Sequence, residues 1–540
     1  MKKVVLSALA MVIFSFGNAQ KRWQNATEVT RPKLVVGIVI DQMRWDYLYR
    51  FADRYSANGF KRLLNEGFSC ENTFIPYTPT VTAAGHSCIY TGSVPAIHGI
   101  MGNTWYRRDL KRIWYCTEDT AENSVGSTSD AGKMSPNSLL TTTVTDELRL
   151  ASNFHSKVIG IALKDRGAIL PAGHSANGAY WFDNANGAFI TSTYYMKELP
   201  TWVTQFNNKK LPDQYLQQNW NTLYPINSYL QSSDDNKSYE GKLEDNTFPH
   251  ITANITNDKY NALRITPYGN TFTIEMAKAA IEGEKLGQAS STDFLALSFS
   301  SPDYIGHTFG PNSVEVEDNY LRLDNDLASF FNYLDSKIGT GQYTIFLTAD
   351  HAVAHIPELL TEHKIPAGVL SETMVQTTLN EMLDKRFKIK NGVIAVMNYQ
   401  VYLNRNIANE DQQRVTDAVI ERLLDFPAIA NAFTTKDVNS IPLPENIKNS
   451  VVNGYNQKAS GDIQMVYKPQ YFSGGTSGTT HGSWNPYDSH IPLLWYGWGI
   501  KKGKTNRETY MTDISATVSA LLHIQMPSGS IGHVIEEVMQ

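Results

Sequence analysis

Cysteine is scarce in this chain: Cys70, Cys88 and Cys116 are the only three in 540 residues. No two of them are spaced CxxC, which excludes a thiolate zinc cluster and a thioredoxin-type redox motif. An odd number leaves at least one thiol unpaired. We expect a Cys70–Cys116 disulfide, with Cys88 a small core residue. Long apolar runs are missing as well, because beyond the N-terminus no segment is apolar enough to span a bilayer. There is no surplus of one charge: 47 Lys+Arg against 53 Asp+Glu give a formal net charge of -6. That balance provides neither a basic stripe for nucleic acid nor an acidic tail. No internal repeat or low-complexity segment is visible, so repeat architectures are set aside.

The N-terminus is distinctive. Lys2 and Lys3 precede an apolar run from Val4 to Phe16, and Gly17-Asn18-Ala19 ends it in small residues. This is the pattern of a secretory signal peptide over residues 1–19, cleaved after Ala19. The mature chain, 20–540, is then periplasmic or secreted, with no membrane attachment after cleavage. Export also permits disulfides.

Apolar β-branched runs mark buried strands at Lys33–Ile40, Val158–Leu163, Phe294–Phe299, Thr344–Leu347 and Ile491–Tyr496. Helical patterns separate them: Tyr47–Asn65, the stretch from Thr82 to Gly92, Ser138–Ala151, Thr271–Leu286, Ser313–Lys337, and a final helix capped at Thr512 or Asp513 and running to Leu522. Residues 103–136 read as surface loop. This alternation predicts an α/β class fold, a doubly wound, mostly parallel central sheet in an α/β/α sandwich. Two segments break the pattern. Residues of about 170–270 are rich in Asn, Tyr, Gly and Ser and read as an inserted lid. Residues of about 355–475 read as a small inserted α+β subdomain.

In doubly wound sheets, ligands bind beyond the carboxyl ends of the strands. Asp41, Lys164, Asp303 and Asp350 each follow an apolar strand within a few residues. Asp303 and His307 are spaced i, i+4, on one face of a helical turn. Asp350 and His351 are adjacent, and His481 lies in a Gly/Thr-rich loop. Oxygen and nitrogen donors without thiolates suit Zn²⁺ in open catalytic sites, and this many suit two ions. His86, His98, His355, His363 and His490 complete no better set.

Thr82 stands in Pro79-Thr80-Val81-Thr82-Ala83-Ala84-Gly85-His86-Ser87, a turn leading into a helix. Alone, Thr82 would read as an N-cap. Beside metal ligands its hydroxyl becomes a candidate nucleophile, and the helix start offers N–H donors to an anion. Asn103, Lys164 and Arg166 are candidate donors to phosphate oxygens.

Taken together, Asp41, PTVTAAGHS with Thr82, HGIMGN with Asn103, SPDYIGHTFG with Asp303 and His307, TADH with Asp350-His351 and TTHGS with His481 resemble the alkaline phosphatase superfamily. The order and spacing resemble its threonine-nucleophile branch. That branch holds nucleotide pyrophosphatase/phosphodiesterases and the secreted, phosphate-insensitive monoesterases of the PafA type. Leu163-Lys164-Asp165-Arg166-Gly167 is similar to the monoesterases specifically.

The resemblance implies two zinc ions: one held by Asp41, Thr82, Asp350 and His351, the other by Asp303, His307 and His481. It also implies a covalent phosphothreonine at Thr82 and hydrolysis of small-molecule phosphate monoesters of broad range by a monomeric alkaline phosphatase. A monoester is a dianion, and the Lys164/Arg166 pair favours it over a diester. The alternatives are a phosphodiesterase or nucleotide pyrophosphatase of the same superfamily and, in a different class, an inactive zinc-binding module. A sulfatase is set aside because the Cys/Ser-x-Pro-x-Arg signature is absent near Thr82.

Overall fold

The structure, a computed structural model, describes residues 30–475 and 477–540. The expected signal peptide lies outside the described residues. At the centre, Leu34–Ile40 is flanked in parallel by Asp293–Phe299 on one side and Tyr343–Thr348 on the other. Val158–Ala162 continues the parallel set beyond Asp293–Phe299, and Gly178–Asp183 continues it once more. Every residue of Leu34–Ile40, Asp293–Phe299 and Val158–Ala162 is buried. Their apolar, β-branched sequences follow from burial on both faces.

Among the described residues the full sheet has ten strands. Leu493–Gly497 adds antiparallel to Tyr343–Thr348, followed by Phe68–Cys70 and Gly503–Thr505. At the other edge Ala188–Ser192 adds antiparallel to Gly178–Asp183, followed by Ser124–Val125. Helices cover both faces. Ala162 packs with Ala168 and Ala172 of the Asp165–Ala172 helix, whereas Ile159 and Ile161 join the main core with Phe272 of the Tyr268–Glu284 helix. A second sheet of four strands carries its own apolar cluster, with Val393–Met397 and Ile463–Tyr467 among them, packed by the helices Glu372–Phe387 and Asn409–Leu424.

Several expectations are corrected. The segment read as a lid is not wholly outside the main sheet, because Gly178–Asp183 and Ala188–Ser192 are strands of it. The continuous helix expected from Tyr47 to Asn65 is broken into Tyr47–Arg50, a 3₁₀ turn Ala52–Arg54, and Phe60–Glu66. Asp324 is the reason: its carboxylate accepts from the backbone N–H of Ser56 (2.6 Å) and of Phe60 (2.7 Å), which pins a bend between the pieces. Residues 104–115 are not loop but a hairpin, Thr104–Arg107 paired with Arg112–Tyr115.

The expected Cys70–Cys116 disulfide does not form; all three cysteines are free and buried. Cys70 belongs to the main core and Cys116 to a separate cluster with Ala83, Ile100 and Trp105. Burial pushes both thiols up to about 12, so they behave as apolar side chains.

Candidate active site

The parallel strands deliver their ends to one place. Asp41 follows Leu34–Ile40, Lys164 follows Val158–Ala162, Asp303 follows Asp293–Phe299, and Asp350 follows Tyr343–Thr348. The backbone after Ile40 turns sharply, with Gln42 at φ 68°. Two groups of three result: Asp41, Asp350 and His351, and Asp303, His307 and His481. In each, one ligand atom per residue lies within 4.8 Å of the others. The members of the first are fully buried.

The three imidazoles share one arrangement. Nδ1 of His307 hydrogen-bonds the Thr479 carbonyl (2.7 Å), that of His481 the Thr80 carbonyl (2.7 Å), and that of His351 the Ala352 carbonyl (3.0 Å). A carbonyl only accepts, so Nδ1 carries the proton and Nε2 is left as a lone-pair donor. Each Nε2 points at a carboxylate: His307 and His481 lie 3.1 and 3.6 Å from Asp303 Oδ1, and His351 lies 3.4 Å from Asp350 Oδ2. The His351 and His481 rings stack at 3.5 Å between centroids, which joins the two groups side by side.

These residues fit metal ions. Asp41 Oδ1 and Asp350 Oδ2 are buried with no hydrogen-bond partner, an expensive state for a carboxylate oxygen unless a cation takes it. Burial, together with repulsion from Asp303 and Asp350, drives the Asp41 carboxyl well above the usual range. Asp303 is held well below it: burial opposes ionisation, but His307 and Lys164 outweigh burial. Asp350 is likewise held down, by His351 and His86 against burial. His481 is lowered by burial and by its His351 and His307 neighbours, which keeps its Nε2 free to ligate. Three crowded acids and three imidazoles whose Nε2 atoms face them constitute a donor set for divalent ions.

Lys164 sits between the groups. Its ammonium donates to Asp41 Oδ2 (2.7 Å) and Asp303 Oδ2 (2.5 Å), and it is 2% exposed. Arg166 lies two residues on, in the first turn of Asp165–Ala172, and donates from Nη1 to the Tyr115 hydroxyl (3.0 Å). Its Nε is buried and unpartnered. The Tyr115 hydroxyl in turn donates to Asp165 (2.8 Å).

Thr82 is not an N-cap. Val81 holds that position without a side-chain cap, and Thr82 is the first residue of the helix Thr82–Thr91, which ends at Gly92 in the left-handed conformation. The Thr82 hydroxyl is buried and pairs with His351 Nε2 (3.3 Å) rather than with the helix backbone. Asn103 Oδ1 accepts the Ala83 N–H at 2.9 Å. The bond fixes the amide, and its NH₂ remains available to donate.

The structure thus brings together Asp41, Thr82, Asn103, Lys164, Arg166, Asp303, His307, Asp350, His351 and His481. Two buried residues that support them were missed. His86, set aside in the sequence, has Nδ1 2.9 Å from the Thr82 carbonyl and 3.2 Å from Asp350 Oδ2, with Nε2 2.8 Å from Ser298 Oγ. Gln42 donates from Nε2 to Asp303 Oδ1 (2.7 Å) and from its backbone to Asp350 Oδ1 (3.2 Å). Their signals were available: His86 is one helical turn after Thr82, and Gln42 follows Asp41.

Comparison with known proteins places this geometry. The family model for type I phosphodiesterase / nucleotide pyrophosphatase matches residues 35–490. The chain is 53% identical over its full length, and that of the relative, to alkaline phosphatase PhoV of Synechococcus elongatus. It is 52% identical to alkaline phosphatase PafA of Elizabethkingia meningoseptica, over 96% of each chain. The crystal structure of wild-type alkaline phosphatase PafA superposes with a TM-score of 0.92 at 51% identity, covering 95% of this chain and all of that one. With its ten-stranded α/β sheet and its two ligand groups at the strand ends, the chain belongs to the type I phosphodiesterase / nucleotide pyrophosphatase family of the alkaline phosphatase superfamily.

Proposed function

We propose that this chain is an alkaline phosphatase that hydrolyses phosphate monoesters of broad range, with Thr82 as nucleophile and two zinc ions held by the two groups of three. The observation that carries the reading is the pair of cations, Lys164 and Arg166, with a buried threonine hydroxyl that faces the ligand group rather than capping its helix. When bound, the ions would supply Lewis acidity, lowering the pKa of the Thr82 hydroxyl and stabilising charge on the leaving oxygen and on attacking water.

The chain's own residues do the rest. Thr82 Oγ1 forms the new bond to phosphorus as the bond to the ester oxygen breaks, giving a phosphothreonine and an alcohol. Water then attacks the same phosphorus, releasing inorganic phosphate and restoring Thr82. The helix start holds Thr82, and the Asn103 amide NH₂ donates to a nonbridging oxygen. Arg166, aimed by Tyr115, offers a fork to the dianion, and Lys164 adds a point charge. Charge developing on the phosphoryl oxygens thus meets fixed donors that need no reorganisation.

A diester carries one negative charge fewer and a second substituent, so two cations give it less. The family model carries the diesterase name, which makes substrate choice the decisive test. The zinc-loaded protein should turn over an aryl phosphate with far higher kcat/KM than the methyl ester of the same phosphate. Arg166→Ala should lower the first by about 10- to 100-fold and the second much less. A wild-type preference for the methyl ester would sink the proposal.

The proposal extends to setting. Removal of residues 1–19 would leave a periplasmic or secreted, monomeric catalytic domain, 20–540, with an inserted segment at about 355–475. The Lys2-Lys3 and apolar N-terminal pattern supports export, and no helix among the described residues is long and apolar enough to cross a membrane.

A further inference from the structure

Tyr304 is outside every group described so far, yet two cations meet on its ring. It follows Asp303 in the helix Ser301–Phe309. Lys164 Nζ lies 5.0 Å from the ring centroid and Arg264 Cζ lies 4.4 Å from it. Arg264 also donates from Nη2 to the Tyr304 hydroxyl. Among the described residues Arg264 has no carboxylate partner. Its remaining polar contact is Asn261 Oδ1 at 3.4 Å, and its Nε is buried and unpartnered. Arg264 is therefore committed to Tyr304, gripping both its face and its hydroxyl.

Lys164 is buried away from water and has three protein partners: Asp41, Asp303 and the Tyr304 ring. The two carboxylates are also candidate metal ligands, and oxygens engaged by a cation hold an ammonium less strongly. The ring then becomes the partner that keeps Lys164 in place. An aromatic face attracts a cation without cancelling its charge, so the ammonium stays available to an anion in front of it.

We propose that Tyr304 is a positioning residue for Lys164, holding its ammonium toward a dianionic phosphoryl group, and that Arg264 fixes the ring. The inference rests on the phosphomonoesterase reading. It makes Tyr304 and Arg264 determinants of monoester selectivity.

The test compares wild type, Tyr304→Leu, Lys164→Ala and the double variant on an aryl phosphate and its methyl ester. Inorganic phosphate affinity is measured by titration calorimetry, and metal content is determined for each protein. Tyr304→Leu should lower monoester kcat/KM and phosphate affinity by about tenfold, with diester turnover kept within about twofold. In the Lys164→Ala background it should add nothing. Equal losses on both substrates, or losses that multiply in the double variant, would overturn the inference. Should Tyr304→Leu lose metal or fold poorly, Arg264→Ala keeps the ring but frees it. That variant should cost about threefold on the monoester alone, and an unchanged or substrate-independent result would overturn the inference equally. A wild type that prefers the methyl ester would instead remove the functional reading on which this rests.

Discussion

At the scale of single residues, the Thr82 hydroxyl is unusual for not being spent on the helix backbone. A threonine at a helix start ordinarily caps the backbone, but here Val81 occupies the cap position, and the hydroxyl faces His351 Nε2. The role that the sequence alone would assign first is thus the one that the structure removes. Thr82→Ala should cost about a thousandfold or more in kcat while metal content, measured by elemental analysis, stays at the wild-type level. Near-wild-type turnover would refute the nucleophile assignment. The residues that touch the site were legible because strand-end Asp, i+4 His and a Gly-rich His loop are chemical signatures. Their supports were harder to read. Gln42 acts through a left-handed turn, and His86 joins the Thr82 carbonyl one turn back to the Asp350 carboxylate far along the chain, a pairing that only the fold reveals.

At the scale of elements, the close approach of the Thr82–Thr91 helix to the Tyr343–Thr348 strand end depends on Gly85. A Cβ there would meet the Asp350 carbonyl oxygen at 2.2 Å and the Asp350 Cβ at 2.7 Å. Both neighbours are held, one by the backbone and one by its part in a ligand group, so the helix itself must move. Gly85→Ala should displace Thr82 from His351, lower kcat by about 100-fold and weaken metal retention in dialysis. Wild-type kinetics and metal content would show that the contact is not needed. The buried strands were readable because burial on both faces produces continuous apolar runs, and the helix expected over Ser313–Lys337 is found at Val314–Leu334. The Gly178–Asp183 and Ala188–Ser192 pair was not. Its aromatic run Tyr180-Trp181-Phe182 is bracketed by Asn- and Gly-rich stretches in a segment whose composition resembles loop, and only pairing to Val158–Ala162 shows that it belongs to the sheet. The Tyr47 helix failed for a related reason: Asp324, far away in sequence, breaks it.

At the scale of the whole molecule, acid sensitivity should reflect buried neutral histidines away from the site. Burial pushes His98 down to about 3 from the ordinary 6.5. Its Nδ1 accepts the Ile100 N–H at 3.1 Å, which the neutral ring alone can do. The folded state then binds fewer protons than the unfolded state between those values. Stability from this group is complete above about pH 6.5 and falls as pH drops toward 3, by up to about 1.4 kcal/mol per pH unit. His98→Asn, which can still accept from Ile100, should flatten the fall of denaturation midpoint between about pH 6.5 and 4.5. A slope equal to wild type would contradict this.

The candidate site is assembled from the whole chain, since Asp41 and His481 lie 440 positions apart yet belong to adjoining groups. One structure tests that assembly most directly: the zinc-loaded protein crystallised with inorganic phosphate. Phosphate should lie between the two groups beside Thr82 Oγ1, with its oxygens in contact with Asn103, Lys164 and Arg166, and Lys164 drawn away from Asp41. Phosphate bound elsewhere, or Lys164 still bridging Asp41 and Asp303 with Arg166 untouched, would contradict it.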